Sequence, residues 1–146
     1  MKKDRVAVLM GGYSNERDIS LRSGYAVLGA LQRKNIDVIP FDPKERSINE
    51  LVDEKITKVF IALHGSFGED GQVQAILEYL KIPFTGSGMA ASSLAINKIQ
   101  TKRILETLNL KTPRFLQIST SDFKNFDNEA LFFPAIIKPN KEGSSL

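Results

Sequence analysis

Three short apolar runs, Val6–Met10, Val38–Phe41 and Val59–Leu63, punctuate the first part of the chain, each four or five residues long. None has helical period, and each ends in turn-formers: Gly11-Gly12, Asp42-Pro43 and His64-Gly65. Strands buried on both faces of a parallel sheet read this way. The intervals carry helical pattern instead. Leu21, Tyr25, Leu28 and Gln32, widened by Val27 and Leu31, predict an apolar stripe on a first helix. Val73, Ile76, Leu77 and Leu80 have the i, i+3, i+4, i+7 spacing of a second amphipathic helix. Ile48–Asp53 is at most a short helix, and Ile82–Thr85 a brief fourth strand.

Strand alternating with helix implies a parallel sheet with right-handed crossovers. Residues 1–88 therefore predict an α/β, Rossmann-like domain, whose ligands would sit at the carboxyl ends of the strands. The pattern changes after Gly88. Met89–Ile96 is weakly helical, and Lys98–Leu108 is a charged helix with Ile104, Leu105 and Leu108 on one side. Phe115–Ile118 and Pro134–Lys138 read as strands, and Ser121-Asp122 as a helix start. The chain stops at Leu146, in a Gly-Ser loop with no strand after it. Residues 89–146 are thus expected to be the incomplete start of a further domain.

Composition narrows the function. Among 146 residues, 42% are apolar and 25% charged, ordinary for a globular chain, and there is no Cys to form a disulfide, thiolate zinc site or thiol nucleophile. The net charge of +3 comes from scattered basic residues, which gives no footprint for nucleic acid. The apolar run at Val6–Met10 is too short for a signal peptide, and no run approaches the ~20 residues of a membrane span. These features predict a soluble, cytoplasmic protein with no nucleic-acid or membrane partner.

Candidate chemistry gathers at the strand ends. Gly11-Gly12-Tyr13-Ser14-Asn15-Glu16-Arg17 is neither GxGxxG nor a Walker A loop. Ser14 is a natural N-cap, and spacing alone favours Glu16 as a helix-dipole complement over a grip on a substrate ammonium. His64, the one histidine, follows a buried strand, where structural and catalytic roles stand about even. The acids of Gly65-Ser66-Phe67-Gly68-Glu69-Asp70-Gly71 make a weak metal site, and Asp70 is better suited to cap the following helix. Gly86-Ser87-Gly88 suits an anion cradle or a tight turn equally. Lys98 alone reads as a surface lysine, whereas Lys138 ends an apolar strand and is placed to meet phosphate, with Lys141–Ser145 either a lid or a linker.

Taken in order, Met10-Gly-Gly-x-Ser-x-Glu-Arg-Asp-Ile-Ser20, Phe60-Ile-Ala-Leu-His-Gly-x-x-Gly-Glu-Asp-Gly71, Pro83-Phe-Thr-Gly-Ser-Gly88, Asn97-Lys98 and Ile137-Lys-Pro-x-x-Glu-Gly-Ser-Ser145 resemble the N-terminal half of the D-alanine–D-alanine ligases, ATP-grasp enzymes of peptidoglycan synthesis. The resemblance runs from about Arg5 to the last residue. It implies ATP-dependent joining of two D-alanines through a D-alanyl phosphate, with Mg2+ or Mn2+ as cofactor. By motif match, Glu16 would hold the first ammonium as a catalytic residue, with Ile19 and His64 beside that substrate. Ser144 would join the hydrogen bonds orienting Glu16, and Lys98 and Lys138 would contact the nucleotide.

The resemblance further implies a cytoplasmic homodimer formed through the N-terminal domain. It places the metal-binding acids outside this chain, so that no metal ligand is expected within it and the chain alone is expected to be inactive. Two other readings stand beside the ligase: a non-catalytic Rossmann-like module for a small ligand or for assembly, and a D-alanine–D-lactate or D-alanine–D-serine ligase.

Overall fold

The computed structural model describes residues 4–119, 121–122 and 131–142. Its centre is a parallel sheet of β1 (Arg5–Leu9), β2 (Asp37–Phe41) and β3 (Lys58–Ile61) in the order β2-β1-β3. Leu9 stands in register with Phe41 on one side and Ile61 on the other, so β1 is the paired centre. Pro40, which has no N–H to donate, lies in β2 at the sheet edge, where that loss is tolerated. The expected fourth strand is reduced to one parallel bridge, Phe84 to Val59, on the far side of β3.

Alternation along β1 divides the core in two. Ala7 and Leu9 pack with Phe41, Leu51, Val59, Val73 and Leu77 on one face. Val8 and Met10 pack with Leu28 and Ala62 on the other, where Leu21, Val27 and Leu31 join them. Helix α1 (Arg17–Arg33) thus covers one face, and α2 (Glu50–Asp53) and α3 (Gln72–Tyr79) the other. Helices on both faces of a parallel sheet are the arrangement expected from the strand spacing.

The face that α1 buries keeps Leu21, Val27, Leu28 and Leu31 of the predicted stripe but not its other two residues. Tyr25 is exposed, as is Gln32, and the buried positions are Ser20, Gly24 and Leu28, spaced i, i+4, i+8. Small residues win here because the helix lies so close to β1 that a Cβ on Gly24 would sit 2.4 Å from the Cβ of Met10. An aromatic ring cannot enter that contact. In α3 the predicted stripe holds: Val73 and Leu77 are buried, with Ile76 and Leu80 at its margin.

Beyond Gly88, α4 (Met89–Ile96) and α5 (Lys98–Thr107) form where helical pattern was expected. Asn97 separates them and caps α5 by accepting from the Gln100 N–H at 3.1 Å. No residue of α5 is fully buried, and Ile104 and Leu108 are exposed. The strands expected at Phe115–Ile118 and Pro134–Lys138 do not form, because no ladder pairs with either segment among the described residues. Ser121 and Asp122 form a turn, and the helix expected after them lies outside the described residues.

Candidate functional site

The carboxyl ends of β1 and β3 are tied together by one side chain. Ser20 is fully buried; its Oγ accepts the Gly11 N–H at 2.8 Å and donates to the Ala62 carbonyl at 2.7 Å. A second tie holds the glycine loop to β2. Asp42 accepts the Gly12 N–H at 2.9 Å and pairs with the Arg17 guanidinium at 2.7 Å, while Arg17 also donates to the Gly12 carbonyl. Burial raises the Asp42 pKa, but the hydrogen bonds from Arg17 and from the Gly12 and Lys44 amides outweigh it, so the carboxyl lies below its ordinary value. Gly11 has φ +82°, and a Cβ there would fall 2.3 Å from an Asp42 oxygen, so the loop closes only with glycine.

This scaffold presents Glu16. The residue is the N-cap of α1, a place the sequence pattern assigned to Ser14. Ser14 instead accepts the Glu16 N–H at 3.2 Å and donates to the His64 carbonyl at 2.8 Å, locking the two loops to each other. Glu16 is only 4% exposed, and its Oε2 is buried without a hydrogen-bond partner. Of the orphaned buried side-chain atoms among the described residues, Arg5 Nε, Glu16 Oε2 and Gln74 Oε1, it alone belongs to a carboxylate. Gly65, at φ +67°, passes so close that a Cβ would lie 3.1 Å from Glu16 Oε1.

His64 and Glu69 complete the cluster. One ligand-capable atom from each of Glu16, His64 and Glu69 lies within 4.8 Å of the others. His64 Nδ1 is 3.6 Å from Glu69 Oε1, and its Nε2 is 3.3 Å from Ser23 Oγ. Glu69 is fixed through Oε2, which accepts the Gly65 N–H at 2.9 Å. Ile19 is half-buried in the first turn of α1, and its carbonyl accepts from Ser23 Oγ at 2.9 Å.

The other expected site residues lie elsewhere. Lys98 and Lys138 line one cleft of about 560 Å³, within the range of small-molecule sites, together with apolar Ile99, Phe115, Leu116 and Ile136. Lys98 Nζ donates to the Glu142 carbonyl, and Lys138 is exposed. Ser144 lies outside the described residues. Beside the Gly86–Gly88 segment, Glu78 places its own carboxylate at the start of α4, accepting the Met89 N–H at 2.9 Å where an anion would otherwise sit. The N-cap of α3 is Gly71 rather than the expected Asp70, which stands one residue earlier and accepts the Gln72 N–H at 3.1 Å.

Sequence reasoning missed the Glu69–His64 contact, Ser23, Ser20 and the Arg17–Asp42 tie. One signal was available for the serines. Polar residues at positions 20 and 23 stand beside a glycine in a helix that must pack on a buried strand, so they need partners.

The fold and site together are those of a parallel α/β domain, covered by helices on both faces, with an unpaired buried carboxylate at the carboxyl edge of its sheet. The comparisons narrow this class: the chain belongs to the family described as D-ala D-ala ligase N-terminus, whose model matches residues 5–50 and 42–87. It is 50% identical over 146 residues to the D-alanine--D-alanine ligase of Polaromonas sp. strain JS666, covering 97% of this chain and 43% of that protein. It is 47% identical over 142 residues to the ligase of Nitrosomonas europaea, with 97% and 47% covered. Among solved structures, the Bacillus anthracis D-alanine--D-alanine ligase complexed with ATP matches with TM-score 0.81 and 34% identity, over 95% of this chain and 48% of that one. The Helicobacter pylori ligase matches with TM-score 0.74 and 28% identity, over 99% and 55%. The chain thus spans about half the length of these relatives or less.

Proposed function

We propose that the whole protein is a D-alanine–D-alanine ligase, which joins two D-alanines at the expense of ATP, through a D-alanyl phosphate, for peptidoglycan synthesis. In this reading the present chain, as a domain over residues 1–88 followed by the start of the ATP-grasp domain, holds the first D-alanine. The observation that carries it is the orphaned Oε2 of Glu16, buried at the carboxyl edge of the sheet. A buried carboxylate without a partner costs on the order of 3–5 kcal/mol. A substrate ammonium is the cation that removes that cost and, in the same contact, orients the amino acid for reaction.

The remaining roles follow from placement. Ser14 and Ser20 hold the two loops that flank Glu16, so the carboxylate is positioned before substrate arrives. His64 stands beside it, held by Ser23, where its ring meets the bound amino acid and the charge that develops on attack. The resemblance adds Ser144, which lies outside the described residues, as a group that would help orient Glu16. Lys98 and Lys138 face one cleft whose apolar walls suit a purine and whose ammonium groups suit phosphates, so the residues present fit ATP. ATP supplies the phosphoryl group that activates the first carboxylate. The ATP-complexed B. anthracis relative supports this assignment.

Mg2+, also implied by the resemblance, is not fitted by the described residues. It demands near-octahedral oxygen coordination, and the one candidate cluster among them includes an imidazole and a buried carboxylate.

No helix among the described residues is long and apolar enough to cross a membrane. The family resemblance, rather than that absence, is what places the whole protein in the cytoplasm as a homodimer in this reading. A non-catalytic binding or assembly module is not favoured, since the relatives named above are ligases. The test is ADP release by the whole protein with D-alanine, compared with Glu16→Gln. The variant is expected to raise KM for D-alanine at least tenfold, about 1.4 kcal/mol, with KM for ATP little changed. An unchanged KM for D-alanine refutes the role of Glu16.

A further inference from the structure

The hydrogen bonds around His64 decide which of its nitrogens is available. Ser23 Oγ commits its proton to the Ile19 carbonyl at 2.9 Å, so at 3.3 Å it accepts from His64 Nε2–H. In the neutral ring that leaves Nδ1 as a lone pair, and it faces Glu69 Oε1 at 3.6 Å. Two electron-rich atoms held at that distance leave room for an electropositive occupant between them. Glu16, 4% exposed and orphaned at Oε2, contributes a third such group within the same 4.8 Å cluster.

We infer that Glu16, His64 and Glu69 form a binding site for a borderline divalent transition ion of the Zn2+ class. Ligand bonds of ~2.0–2.1 Å in a tetrahedron separate neighbouring donors by about 3.3 Å. The Nδ1–Oε1 separation of 3.6 Å is already near that value. Glu16 and Glu69 close the remainder by small side-chain adjustments, since Glu69 is partly exposed at the mouth of the site. One imidazole and two carboxylates leave a fourth position open to water or an incoming ligand.

The outer contacts that such a site requires are present. The Nε2–H of His64 is oriented by Ser23, and the second oxygen of Glu69 is held by the Gly65 amide. Because the ion would occupy the carboxylate that receives the substrate ammonium, metal and D-alanine exclude each other. That consequence alone rests on the proposed function.

The test is titration of the purified full chain with Zn2+ against a chromophoric chelator, and with Co2+ followed by its visible absorption. One ion per chain is expected, with the intense bands of four-coordinate Co2+. Affinity should fall at least about tenfold in both His64→Gln and Glu69→Gln. Glu69→Gln retains an amide oxygen for the Gly65 N–H and guards against loss of fold in the first variant. Absence of stoichiometric binding, or binding that both variants leave unchanged, overturns the site. Adding D-alanine separates the two readings. Weakened Zn2+ affinity supports the shared carboxylate, whereas Zn2+ binding lost in both variants but indifferent to D-alanine keeps the metal site and removes the ammonium role of Glu16.

Discussion

Replacing Ser20 with alanine removes one oxygen and unties two strands. The Oγ is fully buried and serves the Gly11 N–H at 2.8 Å and the Ala62 carbonyl at 2.7 Å. Both groups lie at the carboxyl ends of the central strands, where no ladder partner replaces the hydroxyl. Each buried polar group left unsatisfied costs about 1–3 kcal/mol. The space vacated by a hydroxyl oxygen is too small to admit a water that would restore both bonds. The small gain from burying a methyl group offsets part of this, so Ser20→Ala should lose about 2–4 kcal/mol. For a chain of this length that corresponds to a melting temperature lower by roughly 4–16 °C. Urea denaturation of the two proteins under identical conditions gives the difference directly, with m unchanged if only stability moved. Because Gly11 opens the loop that leads to Glu16, the variant should also weaken D-alanine binding. A stability change below about 0.5 kcal/mol would refute the reasoning, since it would mean that the two bonds carry nothing.

Three further outcomes follow from the same geometry. Gly24→Ala puts a Cβ 2.4 Å from that of Met10, so α1 must lift from β1, and a loss of about 1–3 kcal/mol in denaturation is expected. Asp42 has a lowered pKa in the folded chain, so its contribution is present above the unfolded-state value and disappears as pH falls through the folded one; stability measured from pH 6 down to below ~4 should fall less steeply in Asp42→Asn than in the parent. Lys138→Ala should weaken ATP binding by at least about fivefold while leaving D-alanine binding unchanged, because the lysine lines the other cleft.

The elements most legible in the sequence were the three strands. Arg5–Leu9, Asp37–Phe41 and Lys58–Ile61 each lie within two residues of the apolar runs that predicted them; the central β1 is the most buried, and β2 and β3 beside it are partly exposed. The stripe of α1 held at Leu21, Val27, Leu28 and Leu31 and failed at Tyr25 and Gln32. Apolar spacing points to the largest side chains, yet this interface selects the smallest, and Tyr25 gave way to Ser20 and Gly24. The segments 115–118 and 134–138 have strand composition, but pairing depends on a partner, which composition does not supply.

The candidate site divides in the same way. Glu16 and His64 stood out by their place at strand ends, whereas Ser23 and the Arg17–Asp42 tie depend on contacts from α1 to distant loops, and Glu69 on the way its own loop folds back on His64. The sequence separation of 41 residues between Ser23 and His64 shows how little local pattern could reveal of that pair.

In the proposed function the buried carboxylate of Glu16 receives the ammonium of D-alanine. Calorimetric titration of the protein with D-alanine and with propionate, its analogue without the amine, tests it most directly in the parent and in Glu16→Gln. The account predicts that D-alanine binds the parent at least tenfold more tightly than propionate, and that Glu16→Gln abolishes this preference. Equal preference for D-alanine in both proteins would contradict it.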